Sequence, residues 1–340
     1  MTVVDFLMPE HAPTPLGAVK LSRGPIGDIA TTGIGTTVVT HPGDDSVAVL
    51  NARTLAAEAI VAVHGEPFSV AVHDDRAYVS TSSWTHKDEV TVVDTATTSV
   101  IASYPLADNI TALVVSPDGK RVYAGRTGDG HIDVAVIDIP ADRMGTIDIA
   151  TGAGIGIDAL AIDPSGTRLY VATTDARGSA VLTVELETGR VGSAVRIGAP
   201  IRDIALADGA AFVLSSDRTR GGVVHLIEFS SGRVTDVIEI GGAPTQLVMG
   251  GDKSRAYIVD YDHVAVLCTL TLQIVDTITV DGRPSCVAVD SHGGRLYVAD
   301  YAGGVSTFAI NASMPLLYSE FVATDPIVAP EARELEPVTA

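Results

Sequence analysis

The stretch RLYVAD, at residues 295–300, recurs along the chain with small changes. The copies are RLYVAT at 168–173, RVYAGR at 121–126, RAYVST at 76–81 and RAYIVD at 255–260. A catalytic group is needed once in a protein, whereas a structural group is needed once in every repeat. The recurrence therefore indicates a repeated architecture rather than an active-site motif.

Aligning the copies on their aromatic residue defines the period of the repeat. The steps are 45, 47, 42, 45 and 40 residues, and the aligned positions are Tyr78, Tyr123, Tyr170, Phe212, Tyr257 and Tyr297. Val38, within TTVVT, lies another 40 residues toward the N-terminus and brings the series to seven units. A period of this length is typical of a solenoid, a propeller or an array.

Each unit contains four short apolar segments separated by turns. The fourth unit shows them most plainly, as GIDALAIDPSG, TRLYVATTD, SAVLTVELETG and RVGSAVRIGAP. The segments have the length of strands, and turns such as SPDG and ETGR end them. Four antiparallel strands in 40 to 47 residues make one propeller blade. The sequence thus predicts an all-β, seven-bladed β-propeller.

The units resemble the YVTN-type propeller repeat. The matching stretches include VTVVDTATTSV, ITALVVSPDGKRVYAG and RPSCVAVDSHGGRLYVAD, and the likeness spans about residues 25 to 322. The chain is also similar to uncharacterised propellers of mycobacteria. The resemblance implies the fold, but it does not select a function, because the YVTN-type scaffold carries lactonases, quinoproteins, haem enzymes, surface-layer proteins and binding modules.

Composition excludes several classes of protein. The net charge of −20 opposes binding to the phosphates of nucleic acids. The N-terminus has no signal-peptide pattern and no apolar stretch approaches membrane-spanning length, so we expect a soluble, cytoplasmic protein without membrane insertion. The two cysteines, Cys268 and Cys286, have no zinc or haem spacing. We therefore expect no zinc or haem site, and the further expectations are no other metal, no cofactor and a monomer.

A propeller must hide the free sheet edge where its first and last blades meet, and two segments could do so. GAVKLSRGP, at 17–25, has the pattern of a fourth strand that leads into a first strand, and PLLYSEFVA, at 315–323, could fill the same slot. We favour closure by the N-terminal segment. The expected domains are an N-terminal segment with the closing strand at 1–24, the propeller at 25–323 and a disordered, acidic, Pro-rich tail at 324–340.

Two sets of polar residues recur with the repeat and are interpreted as structural. One set lies two residues before the repeat tyrosine and comprises Arg76, Arg121, Arg168, Arg255 and Arg295. The other ends the third strand of successive units and comprises Asn51, Asp94, Asp138, Glu185 and Glu228. We expect the arginines to stabilise turns and the second set to cap the following turn.

The first strand of each blade lines the central channel, and its start predicts which residues surround the channel mouth. Counting two residues beyond the aligned proline gives the ring Gly27, Ser69, Thr111, Asp158, Arg202, Gln246 and Cys286. Asp158 and Arg202 come from neighbouring blades and could form an ion pair. With Asp203, they are the only catalytic candidates that the sequence offers.

The loops on the same face carry the residues that depart from the repeat, and loops are where a repeated scaffold usually places its function. The ligand-binding candidates there, together with the ring residue Arg202, are Trp84, Lys87, Arg126, Arg177, Arg218 and Arg220. Histidines on this face have no ligand spacing, so no metal site is expected.

Two functions remain open at this point. The first is a non-enzymatic propeller whose loop face binds a partner protein or a small, anionic ligand close to Arg202. The second is a lactonase-like hydrolase at the channel mouth. A catalytic site predicts a deep pocket with two or more carboxylates of perturbed pKa, whereas a binding module predicts a plugged or shallow mouth.

Overall fold

The computed structural model describes residues 13–310, apart from 33–34, 84–86, 108 and 291–293. These residues form seven sheets of four antiparallel strands each. The predicted seven-bladed, all-β propeller is therefore confirmed. Trp84, the segment 315–323 and the tail from Thr324 lie outside the described residues, and no structure is assigned to them.

Blades 1 to 6 are each built from four consecutive strands, numbered from the channel outward. Blade 1 comprises β2 (Ile29–Thr31), β3 (Thr36–His41), β4 (Ser46–Asn51) and β5 (Ala57–Ala62). Blade 2 comprises β6 (Glu66–His73), β7 (Arg76–Ser82), β8 (Glu89–Asp94) and β9 (Ser99–Pro105). Blade 3 comprises β10 (Asn109–Val115), β11 (Arg121–Thr127), β12 (His131–Asp138) and β13 (Arg143–Thr151). Blade 4 comprises β14 (Gly156–Ile162), β15 (Arg168–Asp175), β16 (Gly178–Glu185) and β17 (Arg190–Gly198). Blade 5 comprises β18 (Ile201–Ala207), β19 (Ala210–Asp217), β20 (Gly221–Glu228) and β21 (Arg233–Gly241). Blade 6 comprises β22 (Gln246–Met249), β23 (Arg255–Val259), β24 (Val264–Cys268) and β25 (Gln273–Ile278).

Blade 7 combines strands from both ends of the chain. Its inner three strands are β26 (Pro284–Val289), β27 (Arg295–Asp300) and β28 (Gly304–Ala309), and its outermost strand is β1 (Thr14–Lys20). The register of β1 against β28 runs from Thr14 opposite Ala309 to Lys20 opposite Gly304. The ring is thus closed by a terminal strand, which comes from the N-terminal side and covers the edge of β28.

The hydrophobic core consists of seven clusters, one between each pair of neighbouring blades. The repeat residue of every blade lies in the cluster shared with the next blade, at Val38, Tyr78, Tyr123, Tyr170, Phe212, Tyr257 and Tyr297. Burying a large apolar side chain contributes about 1.5–3 kcal/mol. The sequence period therefore reflects one interface-filling residue per blade.

The motif RLYVAD at 295–300 has a structural role, as the contacts of Arg295 and Tyr297 show. The hydroxyl of Tyr297 donates to the carbonyl oxygen of Ala52 at 2.9 Å, and Nη1 of Arg295 lies 3.3 Å from the same oxygen. Ala52 belongs to the turn after the third strand of blade 1, so both side chains tie blade 7 to blade 1. Burial raises the pKa of Tyr297, while the Arg295 guanidinium partly offsets that rise.

The residues that end the third strands do cap turns in three blades. The backbone N–H groups of Thr54, Thr97 and Ala141 donate to Asn51, Asp94 and Asp138 at 3.0, 2.7 and 3.1 Å. In blade 4 the corresponding acid instead forms an ion pair, since Glu185 lies 2.8 Å from Arg190. The repeated polar positions of these blades are thus explained by local turn structure.

Candidate functional site

A cavity of about 360 Å³ lies where the inner strands begin, at the mouth of the central channel. Every blade contributes to its lining, and all members of the predicted ring take part: Gly27, Ser69, Thr111, Asp158, Arg202, Gln246 and Cys286. The volume is within the range of small-molecule sites, about 300–1,000 Å³. The mouth is therefore an open cavity rather than a plug.

Two carboxyl groups in the cavity wall hold neighbouring blades together. Asp28 accepts hydrogen bonds from the backbone N–H of Ile29 and of Val70, both at 2.9 Å. Asp203 does the same with Ile204 at 2.8 Å and Leu247 at 2.9 Å. In each case the second donor belongs to the inner strand of the next blade. Both oxygens of each carboxyl group are therefore used by the backbone.

The same two carboxyl groups are difficult to ionise. Burial raises the pKa of Asp28 to about 6, against the opposing effect of its backbone hydrogen bonds. Burial also raises the pKa of Asp203 to about 7, and the negative charge of Asp28 adds to the rise. Desolvation disfavours a carboxylate, and a like charge disfavours it further. The cavity therefore loses negative charge as the pH falls below 7.

Asp158 lies in blade 4 and is held by side chains of its own blade. The hydroxyl of Thr174 donates to Oδ2 of Asp158, and the hydroxyls of Thr174 and Ser179 are 2.6 Å apart. Burial raises the pKa of Asp158, while the Thr174 hydrogen bond and the positive charge of Arg202 oppose that rise. Asp158 is thus oriented by hydroxyl groups of its own blade.

Arg202 is the cation of the cavity. It lies in the inner strand β18 and is exposed to solvent. It influences the pKa of Asp158 through its charge, but the two residues do not form a direct ion pair in the described part of the chain. The guanidinium thus presents N–H donors that no acid among the described residues takes up.

Aromatic side chains form part of the rim. Phe68 and Tyr301 line the cavity and are 46% and 47% exposed. Next to Tyr301, the guanidinium carbon of Arg283 lies 5.2 Å from its ring centroid and 4.0 Å from that of Tyr261. Stacking of this kind holds an arginine in place through cation–π attraction. These residues were not predicted from the sequence.

The other predicted cations do not line the cavity. Arg126 is buried inside blade 3, where it forms a bidentate pair with Asp133 at 2.7 and 2.9 Å and also contacts Thr146. Lys87, Arg177, Arg218 and Arg220 are exposed. Of these four, Arg220 lies 3.8 Å from Glu239. Among the predicted cations, only Arg202 is part of the cavity lining.

One signal in the sequence does identify the cavity carboxyls. PIGDIA at 25–30 and PIRDIA at 200–205 differ in a single residue, and Asp28 and Asp203 occupy the same place in them. Two copies with the same hydrogen-bonding pattern point to a structural role for this aspartate. For the aromatic residues a similar pattern exists, because Tyr261 and Tyr301 follow the aspartate at the same place in RAYIVDY and RLYVADY.

The described residues contain no cluster of histidine, cysteine or acidic side chains able to hold a metal ion. Nor does any helix in this part of the chain have the length and apolar character needed to cross a membrane.

The closed ring of seven blades and the cavity at its mouth define a seven-bladed β-propeller protein. The chain is 56% identical over 312 residues to a seven-bladed β-propeller protein of Mycolicibacterium smegmatis, covering 91% of this chain and 84% of the relative. It is 34% identical over 334 residues to the seven-bladed β-propeller protein Rv1057 of Mycobacterium tuberculosis, covering 87% and 84%. The chain therefore belongs to this family of mycobacterial seven-bladed β-propeller proteins.

No family model matches the chain, so the YVTN-type assignment stays a resemblance. Among solved structures, hydrazine synthase of Kuenenia stuttgartiensis is similar, with a TM-score of 0.76. That likeness covers 87% of this chain and 98% of the other, at 20% identity. At this level of identity the likeness extends to the fold and not to the activity.

Proposed function

We propose that this propeller is a non-enzymatic binding module whose ligand, a small anion, enters the channel-mouth cavity and contacts Arg202. The observation that carries the proposal is an exposed guanidinium in the wall of an open cavity, with no acid among the described residues paired to it. A carboxylate or phosphate group can accept two parallel hydrogen bonds from a guanidinium. The cytoplasmic location and the monomeric state remain predictions from the sequence.

A lactonase-like hydrolase is the second candidate, and one observation favours it. Asp28, Asp158 and Asp203 all line the cavity and all have raised pKa values. Carboxyl groups whose pKa is raised are suited to general acid–base catalysis. Two of them, however, already accept backbone hydrogen bonds on both oxygens. This use supports a structural role, and it leaves Asp158 as the one candidate base.

Binding is tested by calorimetric titration of inorganic phosphate and gluconate into the wild type and into Arg202→Ala. Charge-assisted hydrogen bonds contribute about 1.5–3 kcal/mol, so we expect affinity to fall by roughly 10- to 100-fold. Arg218→Ala is the matched control, because this exposed arginine of the same blade does not line the cavity. Equal affinity of the wild type and Arg202→Ala would contradict the proposal.

The hydrolase is tested separately by following acid release from gluconolactone. Turnover by the wild type that is lost in Asp158→Asn would establish catalysis and replace the binding module as the function. Under our proposal, adding the protein leaves the spontaneous rate of hydrolysis unchanged.

A further inference from the structure

Gln246 has a side chain whose orientation is set by the neighbouring blade. Its carbonyl oxygen accepts a hydrogen bond from the backbone N–H of Val287, in blade 7, at 2.7 Å. A carboxamide has one accepting oxygen and one NH₂ group with two donors. Because the oxygen is occupied, the position of the NH₂ group is fixed as well. No group among the described residues accepts from these two donors, although Gln246 lines the cavity.

Donors on three consecutive blades follow one another around this side of the cavity. Arg202 belongs to blade 5, Gln246 to blade 6 and Ser285 to blade 7. The hydroxyl of Ser285 has only a weak contact, 3.6 Å to the sulfur of Cys286. We call these three residues the donor arc. The carboxyl group of Asp203 lies in the same wall, but its two oxygens accept from Ile204 and Leu247.

We propose that the donor arc binds one carboxylate or phosphate group, held between the guanidinium of Arg202 and the side-chain amide of Gln246, with Ser285 as a further donor. This assignment rests on the proposed function and adds the residues and ligand chemistry that select the anion. The unprotonated oxygens of a carboxylate or phosphate are acceptors, which matches the N–H donors of Arg202 and Gln246 and the hydroxyl donor of Ser285. A neutral polyol needs acceptors in return, and on this side the carboxyl oxygens are occupied.

The charges of the cavity determine how strongly such an anion is held. The carboxyl and guanidinium groups that line it are those of Asp28, Asp158, Arg202 and Asp203. Three are acids, so an anion is repelled wherever they are ionised and is attracted by Arg202 alone. Neutral donors such as the amide of Gln246 are then needed to hold the anion close to the guanidinium. Gln246 would therefore act as a specificity residue and not as a charge partner.

In Gln246→Glu the side chain keeps an oxygen to accept from Val287 N–H, loses both amide donors and adds a negative charge to the cavity, so a fall in affinity supports the donor arc only together with the amide shift described below. We expect the affinity for inorganic phosphate and for gluconate, measured at neutral pH, to fall roughly tenfold or more. The control is Gln273→Glu, which makes the same change of charge on the exposed outer strand β25 of the same blade. This control should bind like the wild type.

A second measurement uses the wild-type protein, so it does not depend on whether a variant folds. In spectra of the ¹⁵N-labelled wild type, the side-chain NH₂ resonances of Gln246, identified by their absence in Gln246→Glu, should shift when phosphate is added. Those of Gln273 should not move. If the Gln246→Glu protein fails to fold, resonances assigned on the wild type itself decide the matter.

The outcomes separate this inference from the function on which it rests. If no anion binds to the wild type, or if binding ignores Arg202→Ala, the proposed function fails. If binding depends on Arg202 while Gln246→Glu binds as well as the wild type and the Gln246 amide does not shift, the function stands and the donor arc is wrong.

Discussion

Asp203→Asn should flatten the dependence of stability on pH, because burial makes this carboxyl group hard to ionise in the folded state. Its pKa is raised from 3.8 to about 7. A carboxyl group with a raised pKa binds its proton more tightly when folded than when unfolded. It therefore contributes stability that is fully present below pH 3.8 and is lost as the pH rises through about 7.

The size of the effect follows from the shift. One pKa unit corresponds to about 1.4 kcal/mol, so a rise from 3.8 to about 7 corresponds to at most about 4 kcal/mol over the whole titration. Between pH 5 and pH 8 the loss should be roughly 2.5 kcal/mol. The asparagine that replaces Asp203 in the variant cannot ionise, so this part of the slope should be absent there.

Urea unfolding of the wild type and Asp203→Asn at pH 5 and pH 8 measures the difference in slope. The absolute stability of the variant is not the readout, because an amide supplies only one accepting oxygen for two backbone N–H groups. Burial also lowers the pKa values of His41 and His225, which favours stability at higher pH, but both proteins share these residues.

Asp208→Asn is the matched control, since Asp208 lies exposed in the turn between β18 and β19 of the same blade. It should follow the pH dependence of the wild type. Parallel curves for the wild type and Asp203→Asn would refute the reasoning, because they would mean that Asp203 ionises as easily in the folded protein as in the unfolded chain.

Three further predictions concern the ring. Deleting residues 1–20 removes β1 and exposes the edge of β28, so the melting temperature should fall by several degrees relative to a variant that lacks only residues 1–12, as calorimetry would show. Arg126→Ala strands the buried carboxylate of Asp133 and should cost about 3–5 kcal/mol in urea unfolding, and Arg126→Met combined with Asp133→Leu should recover most of that loss. Arg295→Ala removes contacts to the carbonyls of Ala52 and Arg53 and should lower stability by about 1 kcal/mol without changing phosphate affinity in calorimetry.

The fold could be predicted from the sequence because each blade repeats the same packing problem. One large apolar residue must fill each interface between blades, and that requirement produces the aligned series from Val38 to Tyr297. The cavity ring could be predicted for the same reason, since the inner strands all begin at equivalent places. Both predictions use information that lies within one repeat.

Contacts between strands or between blades could not be predicted in this way. Arg126 belongs to a segment that was interpreted as a loop, but it lies directly opposite Asp133 in the ladder of β11 and β12 and turns into the blade. Gln246 looks like an ordinary polar ring residue until Val287 of the next blade is seen to occupy its oxygen. Such pairings depend on register and on neighbours about 40 residues away.

The difference between two nearly identical segments explains why the candidate site lies on one side of a symmetric ring. PIGDIA in blade 1 and PIRDIA in blade 5 place their aspartates in the same role, as acceptors for the next blade. At the preceding position, a side chain in blade 1 would begin 2.9 Å from Cγ of Pro42, so only Gly27 fits there. Blade 5 has room for Arg202 at the equivalent position. The ring needs the aspartate in both blades, but it does not need the arginine, and a residue that the architecture does not require is the one most open to selection for a ligand.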